Sequence, residues 1–266
     1  MQIVTLTTDF GSGDYDIGSM MGVIWSLAPG SRVVDLTHDI ERHNVRQAAL
    51  MLGRCTPYFP AGSIHVVVVD PGVGTGRRPI AARLDDQLFV GPDNGLLTQM
   101  LQRAQKDAQP VEIVHADNPQ YWLPQVSSIF HGRDVFAALA GHLAAGVPLS
   151  RLGPPLLNPT LLDFPSPQPY QSGWLGQVMD IDHFGNLEVN IHRTQLEGLG
   201  PVEITCGAHT IHGIVRTFGE AQPGALVALI DSSDYLSLSI VNGSAASILP
   251  AQTGDPVIVR PVSETS

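Results

Sequence analysis

The stretch Ile64-His65-Val66-Val67-Val68-Val69, followed by Asp70-Pro71-Gly72-Val73-Gly74-Thr75-Gly76-Arg77-Arg78, decides how the first half of the chain is read. The first six residues are β-branched at every position but His65. Such a run has no polar face, which suits a strand covered on both sides in a parallel sheet. The Pro and Gly residues after it end the strand and open a loop. Working outward, Ile3 to Thr7, Val33-Val34-Asp35-Leu36 and Leu88-Phe89-Val90 are further strand candidates. Between and beyond them, Ile17, Met20, Met21, Ile24 and Leu27 recur at helical spacing up to Pro29-Gly30. Asn44 to Leu52, Asn94 to Gln102 and Asp134 to Leu143 also read as helices. Strands alternating with helices predict an α/β domain with a mainly parallel sheet.

The texture changes after residue 152. The stretch PPLLNPTLLDFPSPQPYQSG carries six prolines, too many for a regular element and typical of a semi-rigid linker. Beyond it, short runs around Gly176 to Met179, Val202 to Thr205, Leu226 to Ile230, Tyr235 to Val241 and Val257 to Val259 are split by Gly, Asn and Pro. They predict a smaller antiparallel β-barrel domain. The expected organisation is therefore an α/β domain over 1–165 and a β-barrel domain over 166–266.

Bulk properties narrow the function classes. With 43% hydrophobic and 15% charged residues among 266, the chain is built to fold around a core. The charge of −11, from 14 basic and 25 acidic residues, opposes phosphate backbones, so no nucleic acid partner is expected. No apolar run nears the ~20 residues that cross a bilayer, and the start MQIVTLTTDF lacks the pattern of a signal peptide. No membrane association and a cytoplasmic location are therefore expected. The two cysteines, Cys55 and Cys206, form no CxxC pair and read as reduced core residues.

In an open α/β sheet, ligands bind beyond the carboxyl ends of the strands. Here those ends read Thr8-Asp9-Phe10-Gly11-Ser12-Gly13-Asp14, Asp70 to Arg78, and Gly91-Pro92-Asp93-Asn94-Gly95. Each alone is turn chemistry; three at one sheet edge point to a site. The loop 70–78 lacks the Gly-Lys-Ser/Thr ending of a P-loop and its Asp would oppose a phosphate. What it offers is a carboxylate, Asp70, seven residues before the guanidinium of Arg77, on a chain able to fold back and pair them. His131, before an apolar helix, is by position a capping or surface histidine. No zinc pattern and no Gly-x-Ser-x-Gly elbow occurs. Asp180 to Asn186 and Asn242-Gly243-Ser244 read as turns between strands.

Taken together, TDFGSGD at 8–14, VVDLTHDI at 33–40, VVVVDPGVGTGRR at 66–78, VGPDNGLL at 90–97, FHGRDVFAALAGHLAAG at 130–146, IDHFGNLEVNIHRT at 181–194 and DYLSLSIVNGSAA at 234–246 resemble the S-adenosyl-L-methionine (SAM) hydrolases, or SAM hydroxide adenosyltransferases, relatives of fluorinating and chlorinating enzymes. The resemblance implies hydrolysis of SAM to adenosine and L-methionine without a cofactor or metal. It also implies a homotrimer, with the ligand between the first domain of one subunit and the second domain of its neighbour. By the same resemblance Asp70, Arg77 and His131 are catalytic, with Arg78 as the alternative to Arg77, and Asp9 holds the ribose hydroxyls. Asp14, Asp182 and Ser232 match positions near the methionine end, and Asn186, Phe218 and Ser244 match the region around the adenine. Asp70 stands where the halogenating branch carries an aromatic residue, and the connection from Arg83 to Gly91 is short where fluorinating enzymes carry an insertion. Both features favour water as nucleophile. The alternatives are a SAM-dependent halogenase on the same fold, which would need halide, and a non-catalytic SAM or adenosine sensor, which would need none of the three polar residues.

Overall fold

A computed structural model of the protein describes residues 1–262 and divides into two units, Met1–Asp163 and a second that begins at Phe164. The first unit runs β1 (Ile3–Thr8), α1 (Tyr15–Leu27), β2 (Arg32–Thr37), α2 (Val45–Cys55), β3 (Ile64–Val68), β4 (Pro79–Leu84), β5 (Gln87–Pro92), α3 (Thr98–Lys106), β6 (Val111–His115), a π-helical turn (Gly132–Ala137) and α4 (Ala138–Ala144). Its sheet has the order β2-β1-β3-β5-β4-β6. The pairings β1–β2, β1–β3 and β3–β5 are parallel. β4 lies antiparallel between β5 and β6.

β3 shows why its run carries no polar face. Val66 and Val68 enter a core with Leu6, Ile17, Met20, Ile24, Phe136 and Leu139 on one side of the sheet. Val67 and Val69 enter a second core with Leu52, Phe89, Met100 and Leu101 on the other. Alternate side chains of a strand point to opposite faces, so only a strand covered by helices on both sides accepts this sequence. The parallel strands β1, β3 and β5 all end at one edge, which therefore carries Asp9, Asp70 and Asp93.

Three local expectations are corrected. The helix expected from Asn94 starts at Thr98, because Asn94-Gly95 turns first: Gly95 has φ +99° and the Asn94 amide donates to Val69 O at 2.9 Å. The helix expected from Asp134 to Leu143 is a π turn followed by α4. The proline-rich stretch is more than a linker. Its first part is fastened to the first unit through Leu156 N to Ile113 O, Thr160 N to Asp93 Oδ1 and Leu162 N to Thr98 Oγ1. Its last part forms β7 (Gln168–Tyr170).

The second unit continues with β8 (Gly173–Ile181), β9 (Leu187–His192), α5 (Arg193–Leu196), β10 (Val202–Cys206), β11 (His209–His212), β12 (Leu226–Ile230), β13 (Tyr235–Ile240), α6 (Ala245–Ile248) and β14 (Pro256–Pro261). The strands form one sheet in the order β11-β10-β14-β8-β9-β13-β12, with β7 beside β8 and every named pairing antiparallel. This barrel-like sheet wraps a core that includes Val178, Leu187, Val189, Ile204, Leu236, Leu238 and Val259. The alternation in Leu187-Glu188-Val189-Asn190-Ile191-His192, buried at every second position, is that of a strand with one wet face. Both cysteines are unbridged; Cys206 is buried and Cys55 half-buried. No helix among the described residues is long and apolar enough to cross a membrane.

Candidate functional site

At the carboxyl edge of the first sheet, beyond β1 and β3, lies a cavity of about 240 Å³ lined by Asp9, Phe10, Arg42, His43, Asp70 and His131 among others. Asp9 is set by the chain turn after β2: its Oδ2 accepts the His43 N–H at 2.8 Å, and His43 takes φ +64°. Asp70 follows directly on the buried β3 run, so a rigid strand fixes its origin. The loop after it turns twice, with Val73 N donating to Asp70 O and Thr75 N to Gly72 O, and returns Arg77 to the carboxylate.

Arg77 stands between two partners. Its Nε donates to both Asp70 oxygens at 2.9 Å and its Nη2 to Asp70 Oδ2 at 2.5 Å. The same Nη2 lies 2.8 Å from His131 Nδ1. The arginine side chain is 10% exposed and the carboxylate 5%. Below the guanidinium lies the Phe136 ring, its centroid 5.0 Å from Cζ. Gly72 makes room for this arrangement, since an added Cβ would sit 3.2 Å from Arg77 Cγ. Arg78 turns elsewhere, to Asp93 and Asn158. The third sheet-edge carboxylate, Asp93, is thus a fastening inside the first unit and lies outside the cavity lining.

The contact with Arg77 defines the state of His131. A guanidinium carries only donors, so Nδ1 of the imidazole accepts and a neutral ring holds its proton on Nε2. Burial first, and then the Arg77 charge, push the His131 pKa below the ordinary 6.5, against the pull of Asp70 and Asp134. The imidazole is accordingly neutral at neutral pH.

The other positions expected from the sequence fall into separate groups. Asp14 is half-buried and caps α1, accepting from Asp16 N at 2.9 Å. In the second unit, the β8–β9 corner is closed by Asp182, which accepts from Phe184 N, Asn186 N and Asn186 Nδ2. Ser244 lies against this corner: a Cβ on Gly185 would fall 2.0 Å from Ser244 Oγ, and Ala246 N donates to Gly185 O. Asp182, Asn186 and Ser244 are therefore brought together. Phe218 opens a short 3-10 turn after β11 and is 42% exposed, and Ser232 is exposed in the β12–β13 turn.

Residues 4–153 match the family model of the SAM hydroxide adenosyltransferase N-terminal domain, and residues 176–258 that of the C-terminal domain. The chain belongs to the SAM hydroxide adenosyltransferase family. It is 38% identical over 258 residues to a protein of Salinispora arenicola named (R)-S-adenosyl-L-methionine hydrolase, covering 96% of this chain and 97% of the relative. A fluorinase of an Actinoplanes species is 28% identical over 272 residues, with 89% and 90% covered. Among solved structures, an uncharacterized conserved protein from Thermotoga maritima superposes with a TM-score of 0.87 at 33% identity, covering 97% of this chain and 99% of that one.

Several residues that line the cavity or pack beside it carry no distinguishing signal in the sequence. Phe10 is adjacent to Asp9, within a segment already singled out. Arg42 and His43 follow β2 in a stretch with no motif of its own, and only the parallel β1–β2 pairing brings them beside Asp9. Phe136 looks like any core residue of an apolar helix, and only its place under Arg77 distinguishes it. Asp134 was visible as an acid near a helix start, but not as a wholly buried one.

Proposed function

We propose that this chain hydrolyses SAM to adenosine and L-methionine, with Asp70, Arg77 and His131 as the catalytic group. The supporting observation is Arg77 joined to both Asp70 and His131 at a cavity, in a member of the SAM hydroxide adenosyltransferase family. In the reaction a water oxygen forms a bond to ribose C5′ while the C5′–S bond breaks. Sulfur takes the electron pair, so methionine leaves as a neutral thioether and needs no acid. The difficulty lies in the nucleophile, because water is weak and hydroxide scarce. With Nδ1 of His131 engaged by Arg77, its Nε2–H is the face left to hold the water oxygen. Asp70 retains acceptor capacity beyond its bonds to Arg77 and receives the water's proton, a contribution of roughly 10²–10⁴-fold for a positioned base. Arg77 keeps both partners in place and stabilises developing hydroxide charge.

Asp9, fixed by the His43 N–H, takes the ribose hydroxyls and sets C5′ in line with the water. Asp14, Asp182 and Ser232 serve the methionine end, and Asn186, Phe218 and Ser244 the adenine. The second-unit residues of this set, Asp182, Asn186, Phe218, Ser232 and Ser244, are supplied by a neighbouring subunit of a homotrimer in the cytoplasm, a state that sedimentation analysis tests directly. The name of the 38%-identical relative specifies the (R) configuration, and the (R) sulfonium epimer is the substrate assigned here as well.

The deciding experiment incubates the purified protein with each SAM epimer in halide-free buffer made with ¹⁸O-water, followed by mass spectrometry. Adenosine with ¹⁸O at the 5′ position, formed from the (R) epimer, is expected. Turnover only on adding halide would replace hydrolysis by halogenation, and unchanged bound SAM would make the chain a sensor.

A further inference from the structure

One charged side chain near the site takes no part in lining the cavity and is nevertheless wholly buried. Asp134, within the π turn, has 0% exposure. A carboxylate removed from water is tolerated only when its acceptor sites are filled. Here the filling partners all belong to the segment that carries His131. Asp134 Oδ2 accepts the Ser127 N–H at 2.7 Å, and Arg133 donates from Nε to Oδ1 at 2.5 Å and from Nη2 to Oδ2 at 3.1 Å. The backbone of the same residue adds two bonds: its C=O accepts from Leu123 N at 2.8 Å, and its N–H donates to Phe130 O at 3.2 Å. One residue thus holds the start, middle and end of the segment 123–130. Arg133, about one-third exposed, in turn covers the Phe130 ring with its Cζ 4.9 Å from the centroid. The segment abuts the catalytic loop at Gly74, where an added Cβ would lie 2.5 Å from Ser128 O.

We propose that Asp134 is a positioning residue for His131, anchoring the segment 123–130 that leads into it and supplying a buried negative charge in the turn that follows it. The groups around His131 are Arg77 at 2.8 Å, Asp70 beyond it, Asp134, and across the cavity Asp9, Arg42 and His43. The Arg77 charge disfavours protonation of the ring, while those of Asp70 and Asp134 favour it. Asp134→Asn therefore lowers the His131 pKa further. It also places an amide N–H against a donor that the carboxylate used to satisfy, which loosens the segment. Arg133→Gln acts in the opposite sense, because it leaves the Asp134 charge unneutralised and raises the His131 pKa.

The test is NMR titration of ¹⁵N-histidine-labelled full-length protein, with the His131 signal identified by its loss in H131Q. A downward shift of about half a unit or more is expected in D134N and an upward shift in R133Q. For SAM hydrolysis, D134N is expected to lose roughly tenfold in kcat with KM within about twofold, the pattern of a misplaced group outside the binding surface. The kinetic arm rests on the hydrolase reading; the titration does not, so inactive wild-type protein would sink that reading and leave this one decided by NMR. Folded D134N with an unchanged His131 titration and unchanged kcat overturns the proposal. If D134N does not fold, an unmoved His131 in R133Q overturns it equally.

Discussion

Arg77 makes every direct polar contact that ties Asp70 to His131, and a planar fork is what allows it. A lysine ammonium is a single point charge and cannot present parallel donors to a carboxylate while reaching an imidazole nitrogen. Arg77→Lys should therefore lower kcat by about 10²-fold, of the order seen when one preorganised donor is lost, in the adenosine-release assay. The same contact dictates the acid limb of the pH profile. Protonating His131 places an N–H at Nδ1, facing the Arg77 donor, and breaks the arrangement. Because burial and Arg77 hold the pKa below 6.5, the acid midpoint of activity should lie below pH 6.5. A profile of kcat/KM with its acid midpoint above 6.5 would contradict this. At this scale the sequence was informative about one pair only. Asp70 and Arg77 lie seven residues apart on a glycine-rich loop, whereas His131 is 54 residues from Arg77 and reaches it through tertiary folding. Adjacent Arg77 and Arg78 cannot be told apart by composition; the loop's two turns send one to Asp70 and the other to Asp93.

The π turn from Gly132 to Ala137 solves a geometric problem for the element that follows the loop. His131 and Phe136 are five residues apart, and in an α-helix such residues point about 140° away from each other. The wider turn, closed by i→i+5 bonds, brings both onto Arg77. Hydrophobic periodicity could not announce it, because Val135 to Ala140 is apolar at every position. The element opposite, the loop 70–78, depends on Gly74, which has φ +75° and packs against Ser128 O. Gly74→Ala forces both a disfavoured conformation and a clash with the segment that carries His131. A fall in melting temperature together with at least a tenfold loss of kcat is expected; loss of stability with unchanged kcat would show that the two loops do not register Asp70, Arg77 and His131 for the reaction.

Across the whole first unit, the interior contains a titratable group with no role in the site. His65 lies on β3 with 0% exposure, between the rings of Phe59 and Phe89 at 5.4 and 5.0 Å, and its Nδ1 is 2.8 Å from Thr5 Oγ1. Burial pushes its pKa down to about 4, against 6.5 for the unfolded chain. The unfolded state then binds more protons between these values, so stability is lost as pH falls from 6.5 towards 4. Melting curves should show a loss of about 2 kcal/mol by pH 4.5 that H65Q largely removes; parallel losses in both proteins would place the acid sensitivity elsewhere. The layered fold that buries His65 was legible because patterning is local: a strand with no polar face, amphipathic helices, and then short alternating strands beyond a proline-rich stretch specify an α/β unit followed by an antiparallel barrel. β4 and β6 were not legible, since Pro79 and a hairpin between neighbours disguise the first, and the exposed Val111 and Glu112 break the pattern of the second. By itself the sequence determined the two architectures, the acidic carboxyl edge of the first sheet and the Asp70 loop. The tertiary structure alone decided that His131 meets Arg77, that Asp93 is withdrawn to Arg78, and that Asp134 is buried beneath the segment it holds. Burial and side-chain contact between distant residues depend on how the layers stack, and spacing along a chain does not encode them.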